Sequence, residues 1–406
     1  IRGDSGISYE TETIRLKQAF EQKGFLVNSI IITQFNNQEK AIRFEKYLDN
    51  ISIDHYRTYD IKGYPNDINH ILSADGFGKN DYVNTERPLV VVTGPGPGSG
   101  KMATCLSQMY LDHEMEKRSS YAKFETFPIW NLGLMHPVNM AYEAATANLN
   151  DVNMIDPYHL EAYGTLAVNY NRDVEVFPVL KRMLEKIMGE APYLSPTDMG
   201  VNMAGFCIMD EKSAIKASKD EIIRRYYNAL VDYRFAKESY TSVEKIQTLM
   251  SNLDLKAEDR RVAVAARDKE EITGKESFAI ELADGRIMRG KKSKLFSAPA
   301  ACILNALKKL GNIDDDILLL SPHIIEPVSN LKTKSLGEEE PSLSINEMLI
   351  ALAISATTNP LTHMAIEEIK NLKNLDAHST VILSDSEKSE LRKLGLNFTQ
   401  DPVFTN

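Results

Sequence analysis

The run Val90-Val91-Val92-Thr93-Gly94-Pro95-Gly96-Pro97-Gly98-Ser99-Gly100-Lys101 holds the residue types best suited to chemistry on an anion. A glycine-rich turn between an apolar strand and a helix lets backbone N–H groups converge on a phosphate. The helix N-terminus adds a partial positive charge, and Lys101 supplies a full one. Glycine at 96, 98 and 100 permits a close backbone approach that side chains would block. Gly96, Gly98, Ser99, Gly100 and Lys101 are therefore the candidate cofactor-binding residues, for a nucleotide or a simple phosphate. The run departs from the Walker A pattern G-x-x-x-x-G-K-[ST]. Gly100-Lys101 fit its end, but its first glycine falls on Pro95 and its magnesium-binding hydroxyl on Met102. Thr104 cannot replace that hydroxyl, because two positions along a helix turn a side chain roughly 200° away. Ser99 is the nearer hydroxyl, and Pro95 and Pro97 remove two N–H donors. The dinucleotide pattern G-x-G-x-x-G fails as well, since Lys101 stands where its third glycine belongs. A rigid, proline-stiffened turn that holds no ligand is the structural alternative.

The segment from Lys123 to Asp173 is dense in polar side chains with interleaved aromatics. Glu125 is placed near the C-terminal end of its expected strand, the edge of an open α/β sheet where ligands bind, and is the candidate general base. His136 and His159 are candidate acid–base groups or metal ligands. Asp156 and His159 are three apart and can share a helix face; with Asp151 or His136 they would offer a divalent metal mixed nitrogen and oxygen ligands. Arg172 can hold a phosphate or carboxylate in bidentate fashion. Each has a bland alternative. Asp151 suits a cap or turn, Asp156-Pro157 a turn opening, His136 a hydrogen-bonded loop, and Arg172 a surface ion pair with Asp173 or Glu175. Asp210, after Phe206-Cys207-Ile208-Met209, ends a run that superficially resembles a Walker B strand, but it is more simply a helix cap. Cys207 and Cys302 lie in apolar surroundings and read as buried thiols, and Cys105 reads as a packed residue of the loop helix.

The elements that must position these groups follow from periodicity. Glu10 to Lys23, Glu39 to Leu48 and Lys101 to Met115 read as helices. Phe25 to Thr33, Pro88 to Val92 and Tyr121 to Phe127 read as strands. Such alternation implies βαβ units, a mainly parallel sheet and a right-handed crossover that brings Glu125 and the His136–Asp173 segment to the mouth of the glycine loop. Residues 1–149 form the expected phosphate-loop domain. Residues 150–255 read as mostly helical, with one face at Phe177, Leu180, Leu184, Ile187 and Met188, a helix over Lys219–Lys237, a capping box at Thr241 and Glu244, and a strand at Gly205–Met209. Residues 256–406 read as a smaller α/β domain after a charged linker at Leu253–Asp259. Its expected strands are Val262–Ala266, a hairpin of Ser277–Leu282 with Arg286–Arg289, Ile317–Leu320 and Thr380–Leu383. Its helices include Pro299–Leu310 and one that starts at Ser384 with Glu387.

Composition narrows the functional classes. The 406 residues carry 47 basic and 57 acidic side chains, a net charge of −10, with no long basic stripe, so nucleic acid is not an expected partner. The longest apolar run, Met348 to Ile354, is too short to span a bilayer, which needs ~20 residues. Three widely spaced cysteines without C-x-x-C exclude a disulfide framework and a thiolate zinc site, and fit a reducing cytoplasm. Ile1 is not a natural start, so the chain reads as truncated.

Several long runs together resemble the bacterial family catalogued as domain of unknown function 1846, or uncharacterised protein family 0371. They are Gly3-Asp4 with Gly6-Ile7-Ser8-Tyr9, Ile61-Lys62-Gly63-Tyr64-Pro65, Gly94 to Lys101 with Ala103-Thr104-Cys105, Tyr121 to Phe127, His136 to Ala145, Asp151 to His159, Asn169 to Asp173, Ser195 to Met203, and Asp376 to Ser379. The resemblance covers essentially the whole chain. It implies a Rossmann-like first domain, a helical middle and a C-terminal α/β subdomain, and members longer at the N-terminus, so that strands of the first domain lie outside this chain. It supplies no catalytic assignment. The combined expectation is a mixed α/β, Rossmann-like and P-loop-like enzyme of the cytoplasm. It would bind a phosphorylated small molecule or nucleotide and carry out phosphoryl-transfer or hydrolytic chemistry, with Lys101 and Arg172 neutralising developing charge. A nicotinamide- or flavin-linked oxidoreductase is the second reading. A non-catalytic homo-oligomeric ligand-binding or scaffold protein is the third.

Overall fold

The computed structural model describes residues 8–96, 98–124, 127–200 and 204–404. The protein is mixed α/β and divides into two compact units, residues 1–132 with 154–206, and residues 133–153 with 207–406. The mostly helical segment 150–255 thus contributes to both units. No helix among the described residues is long and apolar enough to cross a membrane.

The chain opens on α1 (Tyr9–Gln22), capped by the Ser8 hydroxyl, which accepts from the Thr11 N–H at 3.2 Å. The β-branched run Ile30-Ile31-Ile32 starts β1 (Ile30–Phe35). After α2 (Glu39–Asn50), β2 (His55–Tyr59) pairs with β1 in parallel, Ile30 opposite His55 and Phe35 opposite Tyr59. A short α3 (Ile68–Ile71) and α4 (Lys101–Glu114) follow. The chain gives α5 (Pro137–Ala145) to the second unit. It then forms β3 (Asn153–Ile155), α6 (Pro157–Tyr163), β4 (Val168–Tyr170), which pairs with β3, α7 (Asn171–Met188) and α8 (Pro196–Met199). The core of the first unit joins α4 to α7: Leu106 and Met109 bury with Phe177, Leu180, Leu184 and Ile187, which recur on one helix face. Each such buried side chain is worth roughly 1.5–3 kcal/mol relative to exposure.

In the second unit, α9 (Glu211–Arg234) packs on α5 and on α10 (Tyr240–Asn252), burying Met140, Ile222, Ile223, Val243 and Ile246. Next come α11 (Arg261–Thr273), β5 (Ser277–Glu281), β6 (Ile287–Lys291), α12 (Ala298–Leu310), α13 (Pro322–Asn330), α14 (Ile345–Ala356), α15 (Pro360–Glu367), β7 (Asp376–Ser379), α16 (Asp385–Lys393) and β8 (Asn397–Gln400). The sheet order is β6-β5-β7-β8. β5 runs antiparallel to both β6 and β7, and β7 is parallel to β8. The β5–β6 hairpin turns at Gly285, whose φ of +81° favours glycine. Alternation buries the sheet on both faces. Phe278 and Ile280 join the large cluster around α12 and α14, whereas Ala279 meets Val262 and Ala266 of α11.

The α11 face of this sheet carries a polar layer. Register places His378 between Ala279 and Thr399. His378 is fully buried; its Nδ1 lies 2.8 Å from Thr399 Oγ1 and its Nε2 3.3 Å from Asp401 Oδ1. Arg267 donates to both Asp401 oxygens, at 2.9 and 2.6 Å, and to the Tyr227 hydroxyl. Arg260 donates to Thr399 Oγ1, Asp376 Oδ1 and the Ala377 and Asn397 carbonyls. Burial lowers the proton affinity of His378 more than Asp401 restores it. Burial pushes the Asp401 carboxyl up, but hydrogen bonds from Arg267 and His378 outweigh it and hold the group below its ordinary value.

Several expected elements differ. Pro88–Val92 is not a strand, and Leu89, Val90 and Val91 are exposed; the described part of the other expected strand, residues 121–124, holds a single bridge between Lys123 and Gly200. A strand exists only where a neighbour takes up its N–H and C=O groups, and among the described residues no ladder runs along either segment. Gly205–Met209 begins as a 3-10 turn, Ala204–Cys207. Val262–Ala266 lies inside α11, because a short apolar run does not by itself distinguish strand from buried helix. Ile317–Leu320 forms no strand, and the strand expected at Thr380–Leu383 lies earlier, at β7. α10 starts at Tyr240, so Thr241 is inside it rather than its cap. Cys302 is buried, with its thiol pushed up by desolvation, and burial pushes the half-buried Cys105 up to about 11; Cys207, however, is exposed. Asp210 does cap α9 and Ser384 caps α16.

The buried His378 sets a pH dependence. Its folded-state proton affinity lies below the unfolded one, so the unfolded chain takes up the proton first. Stability is then lost as the pH falls below about 6.5, and the Asp401 contribution is lost only below about 4. Chemical denaturation at pH 7.5 and 5.5 should show this loss, and His378→Gln should flatten it. An equally steep profile in the variant would place the acid sensitivity elsewhere.

Candidate anion-binding site

The glycine loop closes onto β1 and onto itself. Thr33 of β1 donates its hydroxyl to the Ser99 carbonyl at 3.3 Å. Gly100 is the N-cap residue of α4, with φ of +78° and no side chain to satisfy the first helical N–H groups. A Cβ there would stand 3.0 Å from the Thr33 side chain, so glycine serves both the backbone angle and the close approach. Lys101 folds back over the loop. Its Nζ donates to the Gly96 carbonyl at 2.9 Å and to Ser99 Oγ at 3.2 Å. Burial lowers its proton affinity, and the positive charge of Lys123 lowers it further. Both effects disfavour the ammonium form, and an anion bound beside it would offset them. Met102 does not face a ligand: it packs at the margin of the α4–α7 core. Pro97 lies outside the described residues.

Lys123 is placed by its backbone, whose N–H donates to the Met199 carbonyl at 2.7 Å. Its ammonium donates to the Tyr170 hydroxyl at 2.6 Å and to Asp173 Oδ1, and the Tyr170 hydroxyl donates to the same oxygen at 3.0 Å. The Arg172 guanidinium lies 5.6 Å from the centre of the Tyr170 ring. β4 ends at Tyr170 and α7 begins at Asn171, so this junction delivers Tyr170, Arg172 and Asp173 together.

A second cluster surrounds His159. The Asp156 carboxylate caps α6, accepting from the Tyr158 and His159 N–H groups, and also accepts from the Thr197 N–H and hydroxyl of α8. This ties the two helices together. His159 Nδ1 then lies 3.0 Å from Ser195 Oγ and 3.6 Å from Asp198 Oδ1. Ser195 and Asp198 form a capping box on α8, and Tyr163 donates to Asp198 at 2.8 Å. Trp130 and Tyr163 flank the imidazole, with ring centres 6.1 and 4.8 Å away. A serine hydroxyl both donates and accepts, so it can serve the neutral and the protonated ring alike.

The remaining expectations fall out as follows. Glu125 lies outside the described residues. Among the described residues neither Pro88–Val92 nor 121–124 forms a strand, so the parallel crossover expected to position it is not formed there. His136 belongs to the second unit, where its Nδ1 caps α5 by accepting from the Val138 N–H, and its Nε2 is 3.6 Å from Glu211. Asp151 is buried, also in the second unit. The Asp156 oxygens are engaged by four donors. Among the described residues no three His, Cys, Asp or Glu side chains gather closely enough to hold a metal ion.

Two groups escaped the sequence reading. Ser195, Thr197 and Asp198 complete the His159 cluster; the S-x-x-D capping pattern and their place in the family-like run Ser195 to Met203 signalled them, but not their contact with His159. A polar cavity of about 410 Å³ lies at the carboxyl ends of β1 and β2, lined by Asn36, Asn37, Arg57, Tyr59, Asp60 and Lys79. The positions after two parallel strands are where such a cavity is expected. Within it a hydrogen bond from Arg57 to Glu45 raises the proton affinity of the guanidinium and keeps it charged.

A family model described as "Domain of unknown function DUF1846, N-terminal" matches residues 1–254, and one described as "Domain of unknown function DUF1846, C-terminal" matches residues 258–406. Two UPF0371 proteins of Streptococcus pneumoniae, from strain CGSP14 and from serotype 2 strain D39, are each 55% identical to this chain over 403 residues. The alignments cover 99% of this chain and 82% of each relative.

The contact between the loop and β1 gives a paired test. Gly98 has φ of +71° with open space around it, whereas Gly100 combines the same backbone region with the Thr33 contact. Gly98→Ala should cost about 1–2 kcal/mol for the left-handed backbone alone. Gly100→Ala should lower the melting temperature distinctly more, and equal losses in thermal unfolding would show that the packing on Thr33 is dispensable.

Proposed function

The chain belongs to the DUF1846 family of UPF0371 proteins, and we propose that it is an enzyme binding a phosphorylated small molecule or nucleotide at the glycine loop. The phosphate rests on the N–H groups of Gly98, Ser99, Gly100 and Lys101 at the start of α4, with Lys101, Lys123 and Arg172 supplying full positive charge. The observation that carries this reading is the uncapped N-terminus of α4 at the glycine turn, where Lys101 folds back so that its ammonium reaches the Gly96 carbonyl and Ser99 Oγ. The parallel β1–α2–β2 unit, with a polar cavity at its carboxyl end, supports a Rossmann-like reading of this unit.

The chemistry that suits these groups is phosphoryl transfer to a hydroxyl or to water. The acceptor oxygen forms the new P–O bond as the leaving P–O bond breaks. Lys101 and Arg172 stabilise the charge on the phosphoryl oxygens, and His159 takes up the acceptor proton. His159 suits that role because Ser195 serves both of its protonation states and aromatic rings flank it. The free thiols support placement in a reducing cytoplasm.

Titration calorimetry with inorganic phosphate and with ATP tests the site. Lys101→Ala and Lys123→Ala should each weaken binding about tenfold or more, as expected for loss of a charge-assisted contact. Unchanged affinity in both variants, or no binding to the wild type, would refute the phosphate reading. Met102→Ser should bring no tenfold gain in magnesium-dependent nucleotide affinity, because residue 102 packs toward the α4–α7 core; such a gain would show that the loop works in the Walker manner after all.

A further inference from the structure

The two oxygens of the Asp173 carboxylate are treated unequally. The side chain is only 9% exposed. Oδ1 accepts from both Lys123 and the Tyr170 hydroxyl. Oδ2 is buried and has no hydrogen-bond partner among the described residues. Leaving a buried acceptor unmade is unfavourable, and a ligand donor would recover that free energy. An ionised carboxylate can only accept, so the group that completes it must carry a hydrogen to give. An ammonium group would meet the positive charges of Lys101, Lys123 and Arg172 around the same site. A hydroxyl meets no such repulsion, and Lys123 already balances the charge of the carboxylate.

We infer that the ligand of this site is a phosphate monoester that also bears a hydroxyl group. Its phosphate is held by Lys101, Lys123 and the loop amides, and its hydroxyl donates to Asp173 Oδ2. This inference rests on the phosphate reading above and adds the second half of the ligand. The geometry of the α7 start suits such a molecule, because one short stretch, Tyr170 to Asp173, presents a cation for the phosphate and an acceptor for the hydroxyl. Lys123 bridges the two halves: it bonds Asp173 and its charge acts on Lys101. Polyol phosphates and sugar phosphates share this chemistry.

Calorimetric titration of the wild-type chain with inorganic phosphate, ethyl phosphate, glycerol 3-phosphate and ribose 5-phosphate decides the matter. The two hydroxylated esters should bind about tenfold or more tightly than ethyl phosphate, and their relative affinities tell a polyol from a sugar. Asp173→Asn, which replaces an acceptor with a donor, should abolish this preference while inorganic phosphate still binds. If phosphate binds but the hydroxylated esters gain nothing over ethyl phosphate, the hydroxyl subsite is wrong and the phosphate reading stands. A preference that survives in Asp173→Asn likewise overturns the assignment to Asp173. If none of the four probes binds, both readings fall. The wild-type series is decisive even if the variant does not fold.

Discussion

The buried Asp156 carboxylate is the constraint on which the site of the first unit depends. It is wholly removed from solvent, and it accepts from two N–H groups of α6 and from the N–H and hydroxyl of Thr197 on α8. A buried carboxylate stripped of its donors would cost several kcal/mol, so α6 and α8 cannot part without exposing or neutralising it. That tie places His159, on one helix, against Ser195 and Asp198, at the start of the other. It also fixes Met199, whose carbonyl holds the backbone of Lys123. Asn169 reaches Thr197 at 3.5 Å and caps the Tyr170 N–H, so polar contacts run from the imidazole to the Lys123–Tyr170–Asp173 group. The His159 cluster and the Lys123–Tyr170–Asp173 cluster are therefore two ends of one network.

The second unit solves a similar problem with a different outcome. Arg260, Arg267, Asp401 and His378 are brought between a sheet face and α11, and each charge there meets an opposite charge or a carbonyl. Such a layer joins sheet to helix. One buried polar atom is left without a hydrogen-bond partner among the described residues in each cluster, His378 Nε2 here and Asp173 Oδ2 in the first unit. They differ in kind: the imidazole nitrogen lies 3.3 Å from the Asp401 carboxylate, whereas the Asp173 oxygen is an acceptor with no donor.

Much of the local structure was legible in the residues. The caps at Asp210 and Ser384, the turn at Gly285, the helix after Gly100 and the buried face of α7 were read correctly, because each depends on side chains within a turn or two of the chain. The polar density from Lys123 to Asp173 was visible too. Its internal arrangement was not: His159 meets Ser195 across 36 positions, and Lys123 meets Asp173 across 50. His136 and Asp156, candidate site residues by type, cap helices in the structure, work that the sequence offers equally to any histidine or aspartate before a proline.

The sequence by itself determined where the backbone turns, caps and exposes its helix N-terminus, since glycine, proline and short polar side chains act on their own neighbours. Only the tertiary structure decided which apolar runs became strands, because Pro88–Val92 is suited to a ladder in composition yet has none along it among the described residues, and pairing requires a second segment. It also decided which polar groups are spent and which remain open. Burial and partnership come from segments tens of residues apart, and no local pattern records that Asp156 has all its donors while Asp173 lacks one.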